Sequence, residues 1–392
     1  MASIKLAGNT SGEITISSPD VAGTHTLTLP SATETLATQN SLGVRSLIIN
    51  GDMRIAQRGT STSSITTGGY YTVDRWNMVN DSAGTWTQSQ STDTPEGFGS
   101  SVKLDCTTAN ASLGASAGLQ LQTRLEGQNL QQLKKGTADA ESVTISFWVK
   151  SNKTGTYIFE LFDADNTRQV SNSYTISVAD TWEKKTITIT GDTTGAFSND
   201  NGLSLYVSFW LGVGSDKSSG TLNTSWAANV NANRVVGQVN LADSTSNYIN
   251  ITGVQLEVGT EATPFEHRPY DMELQRCMRY YQKSYAQGTV PGANVTSSVN
   301  EVVVFGGWGS ENVAKLFSAE HKIPLRPGTQ SLSFWDMAGN ASTLSSFDNG
   351  FTRTDNRSPT GGNAISENRH YVAPGTSTYN AYAWAYAISS EL

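Results

Sequence analysis

Apolar and polar residues alternate one by one in several stretches of this chain, the period of a strand with one buried face. In Val143-Thr144-Ile145-Ser146-Phe147-Trp148-Val149-Lys150 the odd positions are apolar and turn inward, leaving Ser146, Trp148 and Lys150 on the other face. Leu203 to Leu211 repeats the arrangement, with Tyr206 and Trp210 sharing the outward face. Tyr157 to Phe162 and Lys185 to Ile189 read as further strands, bounded by turns at Asn152-Lys153-Thr154-Gly155 and Gly191-Asp192. In Ile249 to Val258 the apolar parity changes across Gly253, so a β-bulge is expected there to keep Val254, Leu256 and Val258 aimed inward.

A helical period occurs in one place. Leu274, Cys277, Met278 and Tyr281 fall at i, i+3, i+4 and i+7, predicting a helix over 267–284. Pro269 suits its first turn; Asp271 and Glu273 place acids at its start, and Arg276, Arg279 and Lys283 place bases at its end. Beyond it, Val299 to Phe305 and Gln330 to Trp335 are strand candidates, with a turn at Asp336-Met337-Ala338-Gly339-Asn340. In the last strand Ala381, Ala383, Ala385 and Ala387 line one face and Tyr382, Trp384, Tyr386 and Ile388 the other, so the alanines meet another sheet or subunit closely while the rings fill the core, or the reverse. Before all this, Glu13 to Ser17 and His25 to Leu29 are short alternating stretches with too few apolar side chains to offset the entropy of ordering them. Such a segment is expected to be stable against copies of itself or a partner surface.

These patterns predict a mainly β chain: an antiparallel jelly-roll-like sandwich, one short linking helix, and a second, smaller β-sandwich domain. The expected segments are 1–46 for attachment and oligomerisation, 47–266 for the sandwich, 267–284 for the helix and 285–392 for a C-terminal tip. Composition agrees: only 37% of the 392 residues are hydrophobic and 15% charged, with 36 glycines suited to many tight turns. A formal charge of -8 and the lack of any basic run exclude a nucleic-acid partner. No apolar run approaches the roughly 20 residues needed to cross a bilayer, so no membrane insertion is expected. Met1 to Lys5 lacks a signal-peptide core, and Cys106 and Cys277 fall in different segments, which predicts two buried thiols and no disulfide.

Groups for catalysis are sparse. His25, His267, His321 and His370 are scattered at spacings that bring no two imidazoles to one metal, and surface or capping roles are expected of them. Glu160 with Asp163, or Glu257 with Glu261, are the pairs a glycoside hydrolase would need, but they fall at strand ends and turns where solvated acids occur. The turns Asp163-Ala164-Asp165-Asn166 and Asn199-Asp200-Asn201 are oxygen-rich. Arg168 stands where a calcium loop of the EF-hand type needs glycine, so ordinary Asx-turns are expected. No catalytic residue, metal or cofactor is expected. Aromatic side chains supply the binding chemistry instead, because sugar rings stack their C–H faces on Trp and Tyr. The candidates are Trp148, Tyr206 and Trp210 in the sandwich, and Trp308, Trp335, Phe351, Tyr371 and Tyr379 beyond the helix.

Several segments together resemble bacteriophage tail-fibre and tail-associated receptor-binding proteins, especially those of marine phages. They are Gly12 to Ile16, Thr26 to Pro30, Leu36-Ala37-Thr38, Asn50 to Gly59, Asp74-Arg75-Trp76, Gly253 to Gly259, Pro264 to Arg268 and Cys277 to Tyr281. The resemblance implies a carbohydrate-binding-module-like sandwich in a virion protein of the tail, made in the host cytoplasm. It also implies a homo-oligomer, commonly a trimer, with Leu274, Met278 and Tyr281 as candidates to meet around its axis. Residues 1–46 would dock on tail or baseplate proteins, and the protein would attach to host surface glycan without catalysis. Its alternatives are a purely structural tail adaptor or capsid-bound fibre, and a polysaccharide depolymerase.

Overall fold

The computed structural model describes residues 3–7, 13–17, 45–296, 302–306, 315–348, 352–359, 363–375 and 381–392. The chain divides into two compact units, Met1–Gly43 and Val44–Leu392. In the first, β1 (Ser3–Ala7) and β2 (Glu13–Ser17) pair antiparallel, with Ser3 opposite Ser17.

The second unit begins with a sandwich. Its strands are β3 (Ser61–Ile65), β4 (Gly69–Tyr70), β5 (Asn77–Asp81), β6 (Thr85–Ser91), β7 (Ser101–Thr108), β8 (Gly118–Glu126), β9 (Val143–Ser151), β10 (Gly155–Asp163), β11 (Arg168–Ile176), β12 (Glu183–Ile189), β13 (Leu203–Val213), β14 (Ala227–Ala228) and β15 (Tyr248–Val258). They form a seven-stranded sheet, β14-β11-β10-β13-β8-β5-β4, and a six-stranded sheet, β12-β9-β15-β7-β6-β3. The protein is thus mainly β, with antiparallel pairing throughout both sheets.

Alternation explains how the sheets face each other. Ile145, Phe147 and Val149 of β9 and Leu205, Val207 and Phe209 of β13 are all buried in one core, where the Phe147 and Phe209 rings meet edge to face at 4.8 Å. The bulge expected in β15 is present: its register against β9 shifts between Thr252 and Gln255, and Gly253 takes φ +61. A Cβ at that glycine would stand 2.7 Å from the Phe98 ring, so the turn needs both the left-handed backbone and the missing side chain.

Helix α1 spans Tyr270–Met278 and is shorter than the pattern predicts. Pro269 lies just outside it, extended at φ -54 and ψ 145. Tyr281 is not helical: Tyr281–Lys283 forms β16, whose backbone groups are taken by the last strand. The helix turns Glu273, Cys277 and Met278 inward, and both cysteines are buried free thiols.

Residues of Asn50 to Gly59, Asp74-Arg75-Trp76, Pro264 to Arg268 and Cys277 to Tyr281 build a joint around this helix. Arg268 donates to Ser46 O at 2.6 Å and Ile48 O at 3.0 Å and pairs with Glu273 at 3.2 Å; Glu273 also accepts the Asn50 N–H. The Asn50 side chain brackets Ile55 on both backbone groups, and Trp76 Nε1 donates to Asn50 O at 3.0 Å. Gln57 holds Asp74, while Arg75 lies over the Tyr280 ring at 3.5 Å and pairs with Glu391. Burial pushes the Asp74 carboxyl up to about 6, against the pull of Arg58.

The remaining strands are β17 (Val303–Gly306), β18 (Lys315–Glu320), β19 (Ser331–Trp335), β20 (Leu344–Phe347), β21 (Arg353–Arg357), β22 (Asn363–Ile365), β23 (Arg369–Gly375) and β24 (Ala381–Ser389). β24 is the centre of this second β region. It pairs with β16 and β19 through its C-terminal half and with β17 and β20 through its N-terminal half. Its rings, Tyr382, Trp384 and Tyr386, pack with Phe334, Leu344 and Val372, the last from the three-stranded sheet β18-β23-β22. Its alanine face is covered by the same chain: Ala385 packs against Tyr285 and Val295.

Candidate functional site

The two sheets separate the aromatic side chains that alternation placed outward. Trp148 leaves the six-stranded sheet and Tyr206 the seven-stranded one, so they stand on opposite faces of the sandwich and form no common platform. Trp148 is half-buried beside Phe98 and Gly253. Tyr206 is half-buried, edge-on to Phe162 at 6.0 Å, with the Arg124 guanidinium 5.4 Å from its ring.

Trp210 corrects the expectation of an exposed ring, being 0% exposed. Residues 214–240 fold over its face and pack Val235 against it and Ile158. Its Nε1 donates to Glu160 at 2.9 Å, and Arg234 grips the same carboxylate through two bonds of 2.7 and 2.9 Å.

The acid pairs are equally committed. Glu160 and Asp163 are three residues apart on β10 and project to opposite faces, Glu160 outward under Arg234 and Asp163 toward Lys135. Glu257 binds the backbone N–H and hydroxyl of Thr263 at 2.8 and 2.7 Å, while Glu261 is exposed. The Asp163 turn is an Asx-turn, with Asn166 N donating to Oδ1 at 3.0 Å.

Beyond α1, Trp335 is half-buried and meets Tyr285 edge to face at 6.0 Å. Tyr371 is half-buried on β23, opposite Ser318 and Ala364. Trp308, Phe351 and Tyr379, like His25, lie outside the described residues. Met278 and Tyr281 are buried within the chain, Tyr281 under the Arg58 guanidinium at 3.7 Å, and are thereby withdrawn from any contact between chains; Leu274 is half-buried. His321 and His370 are not scattered: their rings stack at 5.6 Å, and His370, fully buried, accepts from Trp384 Nε1 at 3.3 Å. Burial, then the neighbouring His321, pushes His370 down to about 4. Among the described residues no three His, Cys, Asp or Glu side chains are grouped to hold a metal, and no helix is long and apolar enough to cross a membrane.

An aromatic ring does meet open polar surface where the edges of the two sheets approach. Between β11 and β14 on one side and the end of β12 on the other lies a cleft of about 330 Å³, bordered by Trp226, Arg168, Asp192 and a run of hydroxyl residues. Thr188, Thr190, Thr193, Thr194, Thr224 and Ser225 are all exposed there, and the Trp226 ring is half-buried.

A buried charge cluster fixes the geometry. Lys135 Nζ lies 2.6 Å from Asp163 and 3.0 Å from Asp192, and donates to the carbonyls of Thr194 and Gly195 at 2.9 and 2.7 Å. Its ammonium also stands 5.4 Å from the Trp226 ring centroid. Asp192 in turn receives Arg168 at 2.7 and 3.0 Å, and burial is outweighed by the bonds from Arg168 and Lys135, which hold its carboxyl below the usual range. So one ring, a planar ion pair and several rotatable hydroxyls line a single cleft, the combination that a neutral polyol with an apolar face requires. Trp226 was missed by the alternation argument because it stands in a loop; its signal is one large ring within the Gly-, Ser- and Asn-rich run 214–233.

No protein-family model matches the sequence, and no curated protein does. Among solved structures, the chain is similar to the enzymatically active domain of bacteriophage CBA120 tailspike protein 4, at 15% identity and TM-score 0.30, over 55% of this chain and 21% of that one. The match therefore spans about a fifth of the tailspike domain. Similarity extends to a family 22 carbohydrate-binding module of Clostridium thermocellum (14% identity, TM-score 0.27, 52% of this chain and 98% of the module). A family 11 module from the same organism, in complex with a mixed-linked tetrasaccharide, is also similar (12% identity, TM-score 0.26, 52% and 99%). At these scores the likenesses carry no weight for function.

Proposed function

We propose that this protein is a tail-fibre protein of a phage particle that attaches to the host surface by binding glycan, without chemistry of its own. The observation that supports it is the Trp226 cleft, where a half-buried ring adjoins the Arg168–Asp192 pair and exposed hydroxyls. The order of landmark segments from Gly12 to Tyr281, which resembles phage fibres, supplies the viral setting. The absence of catalysis is favoured by the acids themselves: Glu160, Asp163 and Glu257 are each engaged by neighbours of their own chain. A single cleft of this size binds weakly, and several copies on one particle raise avidity about 10²–10⁴-fold.

The test is labelled protein on host cells and on a glycan array. Trp226→Ala is expected to weaken binding about thirtyfold, the cost of truncating an anchoring aromatic worth about 2 kcal/mol. Unchanged staining by that variant, or release of reducing ends from host polysaccharide with turnover, would refute the proposal.

A further inference from the structure

We infer that a second cleft, between residues 46–49, the end of β8 and α1, binds a sugar residue bearing a carboxylate, with Arg276 as its anchor. The cleft measures about 390 Å³ and is lined by Leu47, Ile49, Leu125, Asn129, Gln132 and Arg276, with Arg279 and Glu126 at its edge.

Three observations lead there. Arginines around α1 are otherwise satisfied: Arg279 grips Glu126 at 3.0 and 2.8 Å, and Arg268 is shared by Glu266 and Glu273. Arg276 is half-buried beside them, yet makes no hydrogen bond or ion pair among the described residues. Its nitrogens remain open to solvent and so to an incoming anion, and burial, then the nearby Arg268 charge, lowers its pKa against the pull of Glu273 and Glu266. An anion entering the cleft would meet that unpaired charge, and a planar fork favours a carboxylate taken by two parallel bonds.

The rest of the lining selects the kind of carboxylate. Asn129 and Gln132 are exposed, and their amide groups make no hydrogen bond among the described residues, so they are open to hydroxyls. Leu47, Ile49 and Leu125 give an apolar wall for a ring's C–H face. A uronic acid residue offers all three chemistries at once. An acidic peptide offers the charge without the hydroxyls, and it is an outcome of the test.

The site is separate from the Trp226 cleft and does not rest on it. Isothermal titration of the full chain with digalacturonic acid, with galactobiose, and with a short blocked peptide containing aspartate decides it. The acid sugar is expected to bind at least about tenfold more tightly than either. Arg276→Ala should remove that preference, Arg276→Lys should keep part of it, and Trp226→Ala should leave it untouched; thermal midpoints of all variants are measured first. Equal affinity of Arg276→Ala and the unaltered chain for digalacturonic acid would overturn the inference. So would no binding at millimolar concentration, or tighter binding of the peptide.

Discussion

Replacing Lys135 by methionine tests whether one buried ammonium organises the Trp226 cleft. Its side chain is 4% exposed, and those of Asp163 and Asp192 are 0% and 3% exposed. Four oxygens converge on Nζ, two of them from carboxylates, though an ammonium has only three protons to give. Charge therefore holds the cluster as much as directed bonds do. Methionine keeps the length and the packing against Phe197 and Trp226 but leaves two carboxylates facing each other with Arg168 alone to balance them.

Breaking a buried pair by removing one partner costs about 3–5 kcal/mol. At about 2–4 °C per kcal/mol for a domain of this size, the thermal midpoint should fall roughly 6–20 °C. Calorimetry and urea unfolding measure it at pH 7. Because one of the paired acids would then hold its proton more tightly, the deficit should shrink as the pH is lowered toward the carboxylate range. Restoring balance with Lys135→Met/Asp192→Asn should recover part of the loss, in a double-mutant cycle. A deficit below about 1 kcal/mol, or one that does not vary with pH, would refute the view that the ammonium is a keystone.

Two further outcomes are expected. Gly253→Ala forces a side chain into a left-handed backbone at φ +61 and against Phe98, and should destabilise the sandwich by about 1–3 kcal/mol in urea unfolding; a neutral result would mean that the bulge relaxes freely. His370, lowered to about 4 by burial, is held neutral by the fold, so its contribution is complete above about 6.5 and is lost as pH falls through 4. His370→Asn should flatten the pH dependence of thermal stability in that window, and a dependence identical to the unaltered protein would assign it elsewhere.

Alternation identified the strands well because half-buried strands must obey it. Val143 to Lys150 and Leu203 to Leu211 appear as β9 and β13 with the expected inward sets, and the parity change at Gly253 marks a real bulge. What alternation cannot convey is which sheet a strand joins. Trp148 and Tyr206 obey one rule and end on opposite sides of the sandwich. Nor does it convey what lies over an outward face: Trp210 and Glu160 are sealed by Arg234 and Val235, residues with no periodic signal. The helix pattern ran past Met278 because Tyr281 sits at a helical interval, while the hydrogen bonds of β24, a hundred residues away, take that backbone as a strand. Arg276 looked like ordinary complementation of a helix end; only the pairing of its neighbours singles it out.

The joint at α1 also sets a path for mechanical force. Arg45 N and Ser46 N bond to Glu266 at 2.9 and 2.8 Å, across a sequence separation of 221 for the first, and Asn50 N bonds to Glu273. Leu47 N also donates to Leu256 O at 2.8 Å, and Val254 N to Gly51 O at 2.9 Å, so tension applied between residue 45 and the helix is shared between this short zipper of backbone-to-carboxylate bonds and strand β15. Under stretching, both sets of bonds must shear before residues 45–51 can part from the helix.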